Sequence, residues 1–80
     1  MKLPRDVGAD QLIKALKKFG YSVDHIKGSH IRITTQQNGE HHETIPNHNP
    51  LKVGTLSAIL HNIAKRHNMT VESLLSQLDL

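Results

Sequence analysis

The sequence predicts an α+β fold: a three-stranded antiparallel sheet covered on one face by helices, in the order helix, three strands, helix, short helix. Three observations carry it. Apolar residues recur at helical spacing near both ends of the chain, the middle alternates with a period of two, and an Asn-Gly pair stands between two of the alternating stretches. Helices that bury one stripe against one face of a small antiparallel sheet form a two-layer domain.

Between Gly8 and Phe19, the residues Ala9, Leu12, Ile13, Leu16 and Phe19 fall on one helical face, with Gln11, Lys14, Lys17 and Lys18 on the other. Gly20 stands where a left-handed cap would end that helix, and the lysines crowd its C-terminal half, where they complement the dipole. Tyr21 to Lys27 reads as a strand, although Val23 and Ile26 are three apart and break strict alternation. From about Ser29 to Gln36 the alternation is clean, with Ile31, Ile33 and Thr35 on one side and His30, Arg32 and Thr34 on the other. Gln37-Asn38-Gly39 then turns the chain into a third strand, His41 to Ile45, which stops at Pro46 because proline has no N–H for a ladder. Asn47-His48-Asn49-Pro50 is a loop by composition.

The second long helix runs from about Val53 to Arg66, with Leu56, Ile59, Leu60 and Ile63 as its buried stripe and Lys65, Arg66 and His67 at its C-terminal end. Thr70 is placed to cap a last short helix through Val71, Leu74, Leu75 and Leu78, with Met69 and Leu74 positioned as a hydrophobic staple. No repeat, linker or low-complexity tract interrupts this order. Eighty residues make one small domain, which buries only about 60–65 % of its unfolded surface. A deep catalytic cavity is not expected.

Ten Lys and Arg against seven Asp and Glu give a formal charge of +3, which favours a polyanionic partner such as nucleic acid. Cysteine is absent, so neither a disulfide nor a thiolate zinc site is expected, in keeping with a reducing compartment. Met1-Lys2-Leu3-Pro4-Arg5-Asp6 lacks the apolar core of a signal peptide, and no apolar run is long enough for a membrane span, so a cytoplasmic protein with no membrane association is expected. Phe19 and Tyr21 are the only aromatic rings besides the histidines. RNA-binding proteins that read bases on stacked aromatic rings need more than that. Any RNA contact here falls to cations, the backbone and shape.

The reactive residues gather in Lys27-Gly28-Ser29-His30-Ile31-Arg32. Gly28 supplies the positive φ of a tight turn and allows another backbone to approach Ser29 and His30. His30 opens a strand on its polar face among cations, and an imidazole, titrating near pKa ~6.5, can take up or give back a proton near neutral pH. Lys27, Arg32 and Lys52 are the candidate phosphate-binding cations, Ser29 a candidate hydrogen-bond donor, and Gly54 begins a helix whose N–H groups can face a phosphate. His48 either contacts RNA or caps loop backbone groups with its ring. His41 and His42 are neighbours on a strand and point to opposite faces, which makes them poor joint metal ligands. With no carboxylate cluster beyond Glu40 and Glu43, neither a metal nor another cofactor is expected.

Lys27-Gly28-Ser29-His30, then Thr44-Ile45-Pro46-Asn47-His48, then Gly54-Thr55-Leu56 with Ile59-Leu60, closely resemble the HicA family of bacterial mRNA interferase toxins. The likeness extends from Leu3-Pro4 through Leu12 to Leu16 and on to the last helix. It implies a double-stranded-RNA-binding-like fold, endoribonuclease activity on mRNA, a HicB-like antitoxin as partner, and a catalytic role for the histidine of the Gly-Ser-His string, here His30. Two departures stand out: His25-Ile26-Lys27 lacks the arginine that many relatives carry ahead of that string, and His61 to Asn68 adds polar and basic residues. The competing expectation is a non-catalytic module that binds double-stranded RNA by shape.

Overall fold

A computed structural model describes residues 3–80; Met1 and Lys2 of the polar N-terminal segment lie outside the described residues. The order is α1 (Ala9–Leu16), a one-turn 3-10 extension (Lys17–Phe19), β1 (Ser22–Lys27), β2 (His30–Thr35), β3 (His41–Pro46), α2 (Val53–Arg66) and α3 (Val71–Leu78). The strands form one antiparallel sheet in the order β1-β2-β3, which puts β2 in the centre. This is the predicted α+β arrangement.

Turn and cap chemistry fix the boundaries. Gly20 takes φ 79° and ends the first helical segment as a left-handed cap. Asn38 and Gly39 both have positive φ, 58° and 97°, as a hairpin between twisted strands requires. The Thr70 side chain accepts a hydrogen bond from the Ser73 N–H and so caps α3.

The core forms where the stripes meet. Leu12 and Leu16 of α1, Ile33 and Ile45 of the sheet, Leu56, Leu60 and Ile63 of α2, and Leu74 of α3 are all buried. Among the described residues Thr35 is the single buried polar one, and its hydroxyl is used on both sides: it donates to the Phe19 carbonyl at 2.6 Å and accepts from the Gln37 N–H at 3.1 Å. It thereby ties the end of the first helical segment to the start of the hairpin turn.

β1 departs from expectation. It starts at Ser22, leaving Tyr21 buried just outside it, and all six of its residues are exposed. Pairing with β2 shifts register between Val23 and His25, so Asp24 sits in a β-bulge. The extra residue puts Val23 opposite Ile33 and Ile26 opposite Ile31, on the same side of the sheet. That is the physical origin of the three-residue spacing that broke the alternation.

Candidate nucleic-acid interface

The helix-free face of the sheet carries the predicted reactive residues in cross-strand rows. Lys27, His30 and Pro46 form one row, His25, Arg32 and Thr44 the next, and Ser22, Thr34 and His42 the third. Strand alternation puts Ile31, Ile33 and Thr35 beneath, in the core, and so turns His30, Arg32 and Thr34 outward. His30 is exposed and, among the described residues, its side chain has no hydrogen-bond partner. A cleft of about 660 Å³ lies away from it, between β3 and the C-terminal half of α2. An open, flat surface suits a polymer rather than a small molecule.

Gly28 takes φ 58° in the β1–β2 turn, as expected. A Cβ there would meet nothing within 4 Å, so it is the positive φ and not a close contact at Gly28 itself that calls for glycine. The Ser29 carbonyl accepts a hydrogen bond from the Asn47 N–H at 2.6 Å, which fastens the turn ahead of His30 to the loop after β3. The His48 carbonyl accepts from the N–H of Ala9, the first residue of α1. The backbone of His48, rather than its ring, therefore does the capping, and the ring is left exposed on the loop joined to the His30 turn. Lys52 is the N-cap of α2 and its side chain makes no capping bond. Gly54 lies inside the first turn of that helix in open space, and a helix start accounts for it.

Among the described residues, Arg32 is the one predicted cation with an ionic partner. Its Nε donates to Asp24 Oδ1 at 2.9 Å, and Asp24 Oδ2 accepts from the Thr34 hydroxyl at 2.5 Å. These two hydrogen bonds, led by that from Arg32, hold the Asp24 carboxyl below its ordinary pKa. The bulge is what brings Asp24 to this position, and sequence spacing gave no sign of it. His42 extends the network, with Nδ1 2.7 Å from the Thr34 hydroxyl and Nε2 3.0 Å from Glu40 Oε2.

His41 lies on the opposite side of the sheet, as adjacent strand positions require. The Tyr21 hydroxyl is 2.8 Å from His41 Nδ1 and 3.1 Å from His67 Nε2. With one proton to give, it donates to one ring and accepts an N–H from the other, an arrangement that needs the accepting imidazole neutral. Burial lowers the pKa of both histidines, helped by nearby Arg66, and pushes Tyr21 up to about 12. Glu43, which faces α2, has its pKa raised by burial, with Asn62 and the Thr44 backbone offsetting part of the rise. Among the described residues no three His, Asp or Glu side chains are grouped to hold a metal ion.

The signs give a pH prediction. A histidine with a depressed pKa supports folding above the ordinary histidine range and withdraws that support as pH falls through its folded-state value. Glu43 works in the opposite direction: its ionisation opposes folding at neutral pH, and protonation relieves this on acidification. Urea unfolding of Glu43→Gln is therefore expected to show a higher midpoint than wild type at pH 7.5 and a steeper loss of stability between pH 7.5 and 5.5. A midpoint below wild type at pH 7.5 would contradict the Glu43 assignment.

A small two-layer α+β domain with an open, polar and basic sheet face is the class that fold and surface define. A family model described as the HicA toxin of bacterial toxin-antitoxin matches residues 9–64, from the start of α1 to near the end of α2. The chain belongs to that family of toxins. Comparison with curated proteins and with solved structures returned no match.

Proposed function

We propose that this toxin is an endoribonuclease, an mRNA interferase that cleaves mRNA in the cytoplasm with His30 as general acid-base and is neutralised by a HicB-like antitoxin. The observation that carries the reading is the placement of His30 at the start of the central strand, outward-facing, with Lys27 in its own row and Arg32 in the next. Membership of the toxin family supports it.

The reaction needs no group beyond this surface and the RNA. Neutral His30 takes the proton of a 2′-hydroxyl as that oxygen attacks the adjacent phosphorus. The P–O5′ bond breaks, the imidazolium returns the proton to the departing 5′-oxygen, and the products are a 2′,3′-cyclic phosphate and a 5′-hydroxyl. Lys27 and Arg32 hold phosphates on either side, with Ser29 and His48 as hydrogen-bonding neighbours at the turn and Lys52 as a more distant cation. Asp24 anchors Arg32 through Nε and leaves the outer guanidinium nitrogens for phosphate.

A denaturing-gel assay of wild type beside His30→Ala on a long RNA, with EDTA present and product ends identified, tests this. Cleavage by wild type alone, insensitive to EDTA and leaving cyclic phosphate ends, is the expected result. Products with 5′-phosphates would refute the route. RNA binding without cleavage by either protein would favour the non-catalytic module.

The phosphate contacts give a separate expectation. Arg32→Ala and Lys27→Ala should each weaken binding to single-stranded RNA with little dependence on sequence, and each should flatten the salt dependence, log K against log salt, by about 0.7. Unchanged slopes in both would remove these residues from the interface.

A further inference from the structure

We propose that the groove between α1 and β1, on the helix side of the sheet and away from His30, docks an acidic amphipathic helix of the antitoxin. The identity of the partner rests on the toxin-antitoxin reading; the chemistry of the occupant rests on the groove. Val23 and Ile26 are 45 % and 63 % exposed, on an edge strand otherwise built of polar residues. Both turn toward the helical layer, opposite Ile33 and Ile31, yet that layer does not cover them. Together with Ile13 and Ile31 they line a groove of about 300 Å³ whose other wall carries Lys14 and Lys17.

The bulge decides what kind of segment fits. Val23 and Ile26 would face opposite ways in a regular strand, and Asp24 in the bulge brings them to one side as an apolar pair. The same bulge interrupts the outer backbone edge, which disfavours addition of a partner strand. What remains is a side-chain surface about 10 Å long along the strand. Residues i, i+3 or i+4, and i+7 of a helix span a similar length, about 10.5 Å.

Charge narrows the partner further. Lys14 and Lys17 lie one turn apart on the same wall, with Asp10 one turn before them. Lys14 and Lys17 make no ion pair with this chain among the described residues, and they complement a helix with acidic residues along one flank. A second copy would bring the same lysines to the contact, so self-association is disfavoured on this face. RNA is disfavoured by the apolar pair, which offers a phosphate nothing.

The test uses as probe the antitoxin expected to be encoded beside this chain. Its affinity is measured for wild type, for Val23→Thr/Ile26→Thr, which keeps β-branching at both exposed sites, and for Lys14→Glu/Lys17→Glu. Hydrogen exchange is followed for the free chain and for the complex. Binding weakened about 10-fold or more by each double variant, with protection over α1 and unchanged RNA cleavage by the free variants, is the expected result. A complex that both double variants form at wild-type affinity overturns the groove while leaving the antitoxin reading intact. If the encoded neighbour does not bind at all, the partner reading fails. A labelled acidic amphipathic peptide, compared with its Glu→Lys counterpart, then decides the groove alone: selective binding lost in both variants sustains it, and equal or absent binding ends it. Dimerisation of the chain abolished by Val23→Thr/Ile26→Thr, or RNA binding lost in Lys14→Glu/Lys17→Glu with the complex intact, assigns the face to those occupants instead.

Discussion

His30→Ala is expected to lower RNA cleavage by about 10²–10⁴-fold, the range general acid-base catalysis supplies, while leaving the unfolding midpoint where it is. The second half follows from the structure as directly as the first follows from the chemistry. His30 is exposed, its ring has no hydrogen-bond partner among the described residues, and its strand is held by Ile31 and Ile33 from below and by both neighbouring strands. Truncation at such a site changes stability by no more than about 0.5 kcal/mol. Loss of cleavage together with loss of stability would mean that the residue supports the fold and that another group does the chemistry. A residual rate within about 5-fold of wild type would be too small a loss for a general acid-base. His25, in the next row, and His42, two rows away, are the alternatives on the same face. Parallel His25→Ala and His42→Ala proteins identify which ring carries the proton. Retained RNA affinity in His30→Ala would separate proton transfer from binding, which falls to Lys27 and Arg32.

Much of this surface was legible in the sequence, because strand alternation is a strong constraint. Once Ile31, Ile33 and Thr35 are taken as core, His30, Arg32 and Thr34 have only the other face to occupy. The Asn38-Gly39 turn then fixes which residues of β3 join them, and so divides His42 from His41. The helix stripes were equally plain: Leu12, Leu16, Leu56, Leu60 and Ile63 are all buried.

Pairwise geometry was not legible. The Asp24 bulge leaves only an irregular spacing in the sequence, with nothing to say which residue is extra or which cation it meets. Tyr21 reads as a strand residue, yet it lies buried beside His41 and His67, contacts 20 and 46 residues apart in the chain. Arg66 reads as a cation complementing the end of a helix. In the fold its guanidinium donates to the carbonyl of Asn38 at 2.9 Å and thereby braces the hairpin turn. A Cβ on Gly39 would come within 2.5 Å of that guanidinium. The turn glycine thus answers to a distant helix as well as to its own backbone, which no local pattern records.

Ile33→Ala is expected to cost about 2–5 kcal/mol, the largest stability loss among the substitutions considered, and its contrast with Val23 tests the description of the sheet. The two residues are cross-strand partners on the helix-facing side. Ile33 is fully buried at the centre of the middle strand, whereas Val23 is 45 % exposed on the edge strand. Removing the Ile33 side chain leaves a cavity among Leu and Ile groups that helices on one side and a sheet on the other prevent from collapsing. A domain of this length holds roughly 4–12 kcal/mol in total, so the variant gives up a large part of its margin and is expected to unfold at a much lower urea concentration with the slope unchanged. Val23→Ala, which removes a side chain the fold only half covers, should cost less than about 1 kcal/mol in the isolated chain. Equal losses at the two positions would mean that the helical layer covers β1 after all, and the exposed apolar pair would disappear with it. A cost at Val23 that emerges only in the complex would mark the residue as one the fold leaves uncovered and a partner buries.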